Sequence, residues 1–335
     1  MGLGKIIIPA ITLINGIGIG VFFTKSTDGG QSFSEEIFID SDDSLPISMT
    51  AHNGKIFIAY SKTTQNIWLA SSYDQGASFT KKKISDSTVG GRQRPVLDFA
   101  GDNIYAFWLD SRNAKYEVFF AKSSDSGVTF GTNKSIFSHP NSAIHLLGNN
   151  FGRLATRASG NTIFLAFDFY LQTSSPFTSD YEVYFTKSTD FGDNFSTATR
   201  LSDDDPSLRR EQQGPSLALL PNGSPAIAWS DLRDGDKKLM LTYSEDKGET
   251  FTPNVRINNT PTNNASSFPT IVADNEGKIH LVRIDISLLP KGVYYTKIDL
   301  GINFNPVPYF SQKDPQWAAQ QYDHANSTGL WCGTT

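Results

Sequence analysis

The amino-acid sequence predicts an all-β chain, a propeller of six blades, and three observations carry that prediction. The first is an eight-residue signature, Ser-x-Asp-x-Gly-x-Ser/Thr/Asn-Phe, at Ser26 to Phe33, Ser72 to Phe79, Ser123 to Phe130, Ser188 to Phe195 and Ser244 to Phe251, with a worn sixth copy at Lys297 to Phe304. The second is its spacing. The aspartates Asp28, Asp74, Asp125, Asp190, Asp246 and Asp299 stand 46, 51, 65, 56 and 53 residues apart, the period of one four-stranded sheet repeated around a ring. The third is that every copy follows a short apolar or aromatic run that reads as a strand: Val21-Phe22-Phe23, Ile67-Trp68-Leu69, Val118-Phe119-Phe120, Val183-Tyr184-Phe185, Met240-Leu241-Thr242 and Val293-Tyr294-Tyr295.

The signature, called the box below, is a hairpin loop by residue type. Its carboxylate and hydroxyl accept hydrogen bonds from nearby backbone N–H groups, its glycine supplies a left-handed position, and its phenylalanine anchors the turn in apolar packing. Identical turns in six blades cannot all face one site, so the box is read as structural. In the sixth copy Lys297 replaces the serine, yet Asp299, Gly301 and Phe304 remain.

These boxes resemble the Asp-box, or bacterial neuraminidase, repeats of the sialidase superfamily, over about residues 17 to 305. The resemblance implies a six-bladed sialidase-like β-propeller. It implies fold more than function, because the same box occurs in sialidases, other glycosidases and sorting receptors.

At the N-terminus, Ile6 to Phe23 is mostly apolar, but Pro9, Asn15 and the glycines at 16, 18 and 20 are poor for a helix. Strands are expected there, with a signal segment confined to about residues 6 to 14 as the alternative. The first blade lacks room for two complete strands before the strand that enters its box. Later blades read as inner strand, second strand, the strand entering the box, and a polar outer strand. Second strands are expected at Lys55 to Tyr60, Asn103 to Trp108, Asn161 to Phe167, Ser224 to Trp229 and Lys278 to Arg283, introduced by turns such as Asn53-Gly54 and Pro221-Asn222-Gly223.

Composition narrows the function classes. The 335 residues carry a net charge of −5 with scattered lysines and arginines, which argues against a surface that tracks nucleic-acid phosphates. One cysteine, Cys332, leaves the ring without an internal disulfide. Six Asn-x-Ser/Thr patterns begin at Asn133, Asn194, Asn222, Asn258, Asn264 and Asn326, as an Asn-, Ser- and Thr-rich chain produces by chance. No cofactor, metal or membrane span is expected. His139 and His145 are read as loop residues, and Asp40 to Asp43 and Asp203 to Asp205 as solvated turns.

Two blades share Trp-x-Asp-x-Arg, at Trp108 to Arg112 and Trp229 to Arg233, and two share Tyr-Glu-Val, at Tyr116 to Val118 and Tyr181 to Val183. An active site breaks the symmetry of a ring, so these repeated elements are read as ladder and salt-bridge residues. Symmetry is broken where arginines gather before three inner strands, in Gly91 to Pro95, Arg153 to Arg157 and Arg209 to Gln213. Arg94, Arg157 and Arg210 are the candidate anion-binding residues, since converging guanidinium groups hold a carboxylate by paired hydrogen bonds. This is also the logic of the sialidase arginine triad, although the Arg-Ile-Pro type motif of that family is absent and Arg94-Pro95 is a weak echo. No catalytic acid can be assigned. Long loops at Ser138 to Asn150 and Leu171 to Asp180 are candidate recognition loops.

After the sixth blade the composition changes. Val307 to Trp317 resembles the opening of a C39-type papain-like cysteine peptidase, whose oxyanion-hole glutamine matches Gln312 and whose nucleophile element matches Cys332-Gly333-Thr334-Thr335. His324 precedes the cysteine and does not match the family's base, so this part is expected to be inactive. The expected organisation is a propeller over 1–306 and a peptidase start or tail over 307–335. The expected role is extracellular binding of a glycan or a cell-surface protein, as a targeting module for a secreted cysteine peptidase. The alternative is an exo-sialidase or related glycoside hydrolase.

Overall fold

The structure is a computed structural model, and it describes residues 6–13, 19–41, 47–62, 66–139, 153–171, 180–205, 211–233, 237–257, 266–285 and 292–301. The described residues form 22 strands and no helix, in six antiparallel sheets. The first sheet has three strands, β1 (Ile6–Leu13), β2 (Ile19–Ser26) and β3 (Ile37–Ser41). The second has β4 (Ile47–His52), β5 (Lys55–Ser61), β6 (Ile67–Ser72) and β7 (Thr80–Lys83). The third has β8 (Arg92–Ala100), β9 (Asn103–Asp110), β10 (Glu117–Ser123) and β11 (Lys134–Ser138). The fourth has β12 (Leu154–Ser159), β13 (Thr162–Leu171), β14 (Asp180–Ser188) and β15 (Thr199–Arg200). The fifth has β16 (Gln212–Leu219), β17 (Pro225–Asp231), β18 (Lys238–Tyr243) and β19 (Val255–Arg256). The sixth has β20 (Ser266–Ala273), β21 (Ile279–Asp285) and β22 (Gly292–Ile298). In every sheet the strands pair in sequence order, so each sheet is a meander.

The expected second strands all form, each ending one to four residues further on than the sequence signals suggest, because sheet pairing extends past the aromatic position. The apolar N-terminal stretch forms β1 and β2, paired from Ile6↔Ser26 to Leu13↔Ile19. The chain divides into two compact units, one within Met1–Asn113 and Val118–Lys134, the other within Ala114–Glu117 and Ser135–Phe310.

Each unit is built by stacking sheets face to face. In the first unit, Phe23, Ile39, Met49, Ile58 and Tyr60 form one buried layer between the first and second sheets, and Phe57, Leu69, Leu97, Ile104, Trp108 and Phe119 form another between the second and third. In the second unit, Phe164, Phe185, Leu217, Ile227 and Trp229 pack between the fourth and fifth sheets, and Ala228, Leu241, Ile271, Ile279 and Leu281 between the fifth and sixth. A strand with a neighbouring sheet on both faces cannot alternate. β17 is accordingly buried at every residue, and β5 at all but its first.

The boxes close the β2–β3, β6–β7, β10–β11, β14–β15 and β18–β19 hairpins with one hydrogen-bond pattern. The serine hydroxyl donates to the aspartate at 2.7–2.8 Å and accepts from the glycine N–H at 2.7–2.8 Å. The residue four beyond the aspartate donates to it from its backbone N–H at 2.8–3.0 Å and from its side chain at 2.5–2.8 Å. The sequence implies one left-handed residue per box, and the structure has two. Gln75, Ser126, Phe191 and Lys247 precede their glycines with φ of 61°, 56°, 60° and 57°. Their N–H groups are tied to the preceding hairpin, at Gly54 O, Asp102 O, Asn161 O and Ser224 Oγ, and these bonds offset the strain. The closing phenylalanines pack as expected: Phe79 meets Phe23 edge-on at 5.0 Å and Phe251 meets Phe185 at 4.8 Å.

Candidate functional site

In a four-stranded meander the turn between strands one and two and the turn between strands three and four lie at one end. The boxes therefore occupy one end of each sheet, and the beginning of the inner strand, the end of the second strand and the beginning of the third lie at the other. Buried charged residues gather at this box-free end.

In the third sheet, Asp110 at the end of β9 is fully buried and receives the Trp108 indole N–H at 3.1 Å and Arg112 Nη2 at 2.7 Å. Arg92, opposite Asp110 in the register, stands 3.2 Å from the same carboxylate and donates to the Val89 carbonyl. Arg112 reaches on to Asp86, which follows β7 of the second sheet, at 2.7 Å. The fifth sheet repeats the device. Trp229 and Arg233 hold Asp231 at 3.0 and 2.9 Å, and Arg233 bonds Asp203, which follows β15 of the fourth sheet, at 2.5 Å. Burial opposes the charge on Arg233, yet Asp231 and Asp203 hold its pKa above the ordinary arginine value. These are clasps between successive sheets, in keeping with the salt-bridge reading of Trp-x-Asp-x-Arg.

The acidic stretches join the same scheme. Asp40 is bound by Tyr60 at 2.8 Å, Lys62 at 2.7 Å and Lys81 at 3.1 Å. Asp204 accepts from Arg200 and from Gln212. No group of His, Cys, Asp and Glu suited to a metal ion occurs among the described residues.

Glu182, of Tyr181-Glu182-Val183, is buried at the start of β14 and takes Arg200 through Nε at 2.6 Å and Nη2 at 3.2 Å, with the Ser202 hydroxyl at 2.9 Å. Burial pushes the Glu182 carboxyl upward against the pull of Arg200 and Ser202. Asp168 at the far end of β13 is 1% exposed and accepts the Arg153 N–H and the Gly214 N–H, both at 2.6 Å. Neither Asp168 nor Arg92 was singled out from the sequence. A sequence signal exists, because aligning the expected second strands on their first residues, Asn103, Asn161 and Ser224, places Asp110, Asp168 and Asp231 in one column.

The candidate arginines occupy different settings. Arg94 lies in β8 at a register shift between Gln93 and Val96, buried, with φ of 56°. The inner strands of the fifth and sixth sheets shift at the matching place, between Gln213 and Ser216 and between Ser267 and Thr270, each just before or at a proline. The fifth sheet uses Gly214, with φ of 66°, where the third uses Arg94. A bulge re-aims its side chain, and a non-glycine residue held left-handed there costs about 1 kcal/mol or more. Arg153 stands at the box-free end of its sheet, whereas Arg157 is well inside β12, opposite Phe164 and towards the box end, donating to the Thr156 carbonyl at 2.6 Å. Arg210, His145, Gln312 and Cys332, and most of both long loops, lie outside the described residues.

No family model and no curated protein matches this chain. Solved structures do. An α-L-arabinanase of Penicillium chrysogenum complexed with arabinobiose is similar over 90% of this chain and 91% of its own, at 14% identity and a TM-score of 0.58. An ulvan lyase of polysaccharide lyase family 25 is similar over 89% and 82%, at 13% identity and 0.58. A Hadza microbial sialidase is similar over 90% and 67%, at 13% identity and 0.53. The likeness defines the fold of this chain as an all-β, sialidase-like β-propeller. Among the described residues no helix is long and apolar enough to cross a membrane.

Proposed function

We propose that this chain is a secreted, six-bladed, carbohydrate-active propeller that cleaves glycosidic bonds and holds its glycan through Arg94. The observation that carries the reading is the Arg94 backbone. A residue kept left-handed where the equivalent bulge uses glycine is retained for its side chain, and a guanidinium binds a sugar carboxylate or neighbouring hydroxyls through a rigid fork of donors. The similar structures support the class of ligand, since those named above are an arabinanase, an ulvan lyase and a sialidase. Arg157 and Arg210 enter the proposal on their sequence pattern alone, each as a separate cation for an acidic sugar rather than as part of the Arg94 contact. Residues 307–335 enter it, on their motif alone, as the start of a peptidase that the propeller delivers to a glycan or cell-surface protein.

The test is release of fluorophore from aryl α-L-arabinofuranosides and aryl α-sialosides, beside glycan-array binding, for the wild type and for Arg94→Gly, Arg157→Ala and Arg210→Ala. Turnover is expected, with kcat/KM falling on the order of 100-fold in Arg94→Gly as a buried charged contact is lost. The absence of both turnover and binding to any glycan would overturn the proposal.

A second reading, glycan binding without cleavage, has its own observation. Asp110, Asp168, Asp231 and Glu182 are each held by two or more structural donors. A glycosidase needs a pair of carboxyl groups free to exchange protons or attack. Array binding without turnover selects this reading.

A further inference from the structure

The sixth sheet departs from the other five at its box end. In the other five sheets the residue two before the box serine is Thr24, Ala70, Ala121, Thr186 or Thr242, and the threonines tie their hydroxyls to a carbonyl beyond the box. In the sixth sheet that position is Tyr295, which is 60% exposed. The residue paired with the box serine is Ile56 in the second sheet and Ile163 in the fourth, but His280 pairs with Lys297 in the sixth.

These departures meet. The Tyr295 hydroxyl is 2.6 Å from His280 Nδ1, and His280 Nε2 is 2.9 Å from Asp274 Oδ2. Asp274 caps the β20–β21 turn, where its Oδ1 accepts the N–H groups of Glu276 and Lys278, both at 2.9 Å. Lys297, standing where the other boxes have serine, reaches the Asp274 carboxylate at 3.4 Å. A carboxylate accepts only, so the proton of the neutral imidazole sits on Nε2, and Nδ1 is left to accept from the phenol. Burial would raise the Asp274 carboxyl, but hydrogen bonds from His280, the turn backbone and Lys297 outweigh it and hold the pKa at about 2. The chain Asp274, His280, Tyr295 thus has the order orienter, base, hydroxyl nucleophile, on a tyrosine that is 60% exposed.

We propose that Tyr295 is an activated tyrosine that takes up an acyl group from reactive esters, with His280 as its base and Asp274 as the positioning residue. The phenol oxygen bonds to the acyl carbon as its proton passes to His280 Nδ1. The ester C–O bond breaks, and the leaving alcohol departs with that proton. The products are O-acyl-Tyr295 and the alcohol, with no change of oxidation state. This site is independent of the glycan-cleaving reading.

The experiment treats the whole chain with 4-nitrophenyl acetate and follows acylation of each of the 12 tyrosines by peptide mass spectrometry. Tyr73 is the internal control. It is 49% exposed, and its hydroxyl donates at 3.0 Å to the Ser126 carbonyl, which cannot act as a base. Tyr295 is expected to acylate at least about tenfold faster than Tyr73, within the range of general-base assistance, and His280→Gln to remove that advantage. Asp274→Asn should lower it while Lys297→Ala leaves most of it. Equal rates at the two tyrosines, an advantage that survives His280→Gln, or a label that stays on the imidazole would each overturn the assignment.

Discussion

Asp86 and Asn133 exchange two hydrogen bonds across 47 residues of sequence: the Asp86 N–H donates to Asn133 Oδ1 at 2.7 Å, and the Asn133 N–H donates to Asp86 Oδ2 at 3.0 Å. Asp203 and Asn254 do the same at 3.0 and 2.8 Å. In both cases the asparagine amide also donates to a carbonyl near the end of the earlier sheet, Ile84 O or Leu201 O, at 3.1 Å. The arginine of the clasp then closes on the same aspartate.

Asn133→Ala should therefore destabilise by about 1–3 kcal/mol, the cost of leaving buried polar partners unpaired, as read from urea midpoints. The same geometry bears on glycosylation. Asn133 begins an acceptor pattern but is 8% exposed with its amide engaged, so expression in a glycosylating host should leave it unmodified, checked by peptide mass spectrometry.

Removing the clasp arginine takes one charged partner from a buried carboxylate that keeps others. Arg112→Ala, which leaves Asp110 with Arg92 and the Trp108 indole, is expected to cost about 1.5–3 kcal/mol, and Arg233→Ala a similar amount. Replacing Arg92, Asp110 and Arg112 together by apolar residues should recover part of the loss, because no charge of the buried cluster is then left behind.

The box aspartates give the fold an acid limit. In Asp28, Asp74, Asp125, Asp190 and Asp246, hydrogen bonds led by the residue four positions on hold the folded pKa below its ordinary value of about 3.9. A depressed folded pKa contributes stability that is full above the unfolded value and is lost as pH falls through the folded one. Thermal midpoints should be flat from neutral pH to about 5 and decline below about 4. In Asp74→Asn the decline should be shallower, from a lower plateau.

Two glycines separate backbone strain from crowding. A Cβ on Gly76, at φ +81°, would meet Phe23 at 2.5 Å, whereas one on Gly101, at φ +61°, meets nothing within 4 Å. Gly101→Ala should cost about 1 kcal/mol, and Gly76→Ala about 2–4 kcal/mol, as crowding adds to the conformational cost.

The strain at Arg94 is measurable by the same logic. Arg94→Gly and Arg94→Ala lose the same side chain, but only glycine relaxes at φ 56°. Arg94→Gly should be more stable than Arg94→Ala by about 1 kcal/mol, while both lose glycan turnover alike. Equal stabilities would mean that the backbone there is not strained.

The repeat was legible because it is local. Ser72, Asp74, Gly76 and Ser78 satisfy one another inside one turn, so eight residues announce both the loop and the strand before it. The site was less legible. Arg94 reads in sequence as one of several arginines before an inner strand, and Arg157 as its equal. Pairing decides that one sits in a bulge and the other inside a regular strand.

By itself the sequence determined the all-β class, the sheet period and the position of every described box, since each rests on hydrogen bonds closed within a few residues and on apolar runs a strand long. The tertiary structure alone decided that Asp86 meets Asn133, that Glu182 is spent on Arg200, and that His280 stands between Asp274 and Tyr295. Those partners come from different strands and turns, and Asp86 and Asn133 from different sheets. Which residues meet is set by register and by sheet stacking, which bury many side chains at once and which no single stretch of sequence contains.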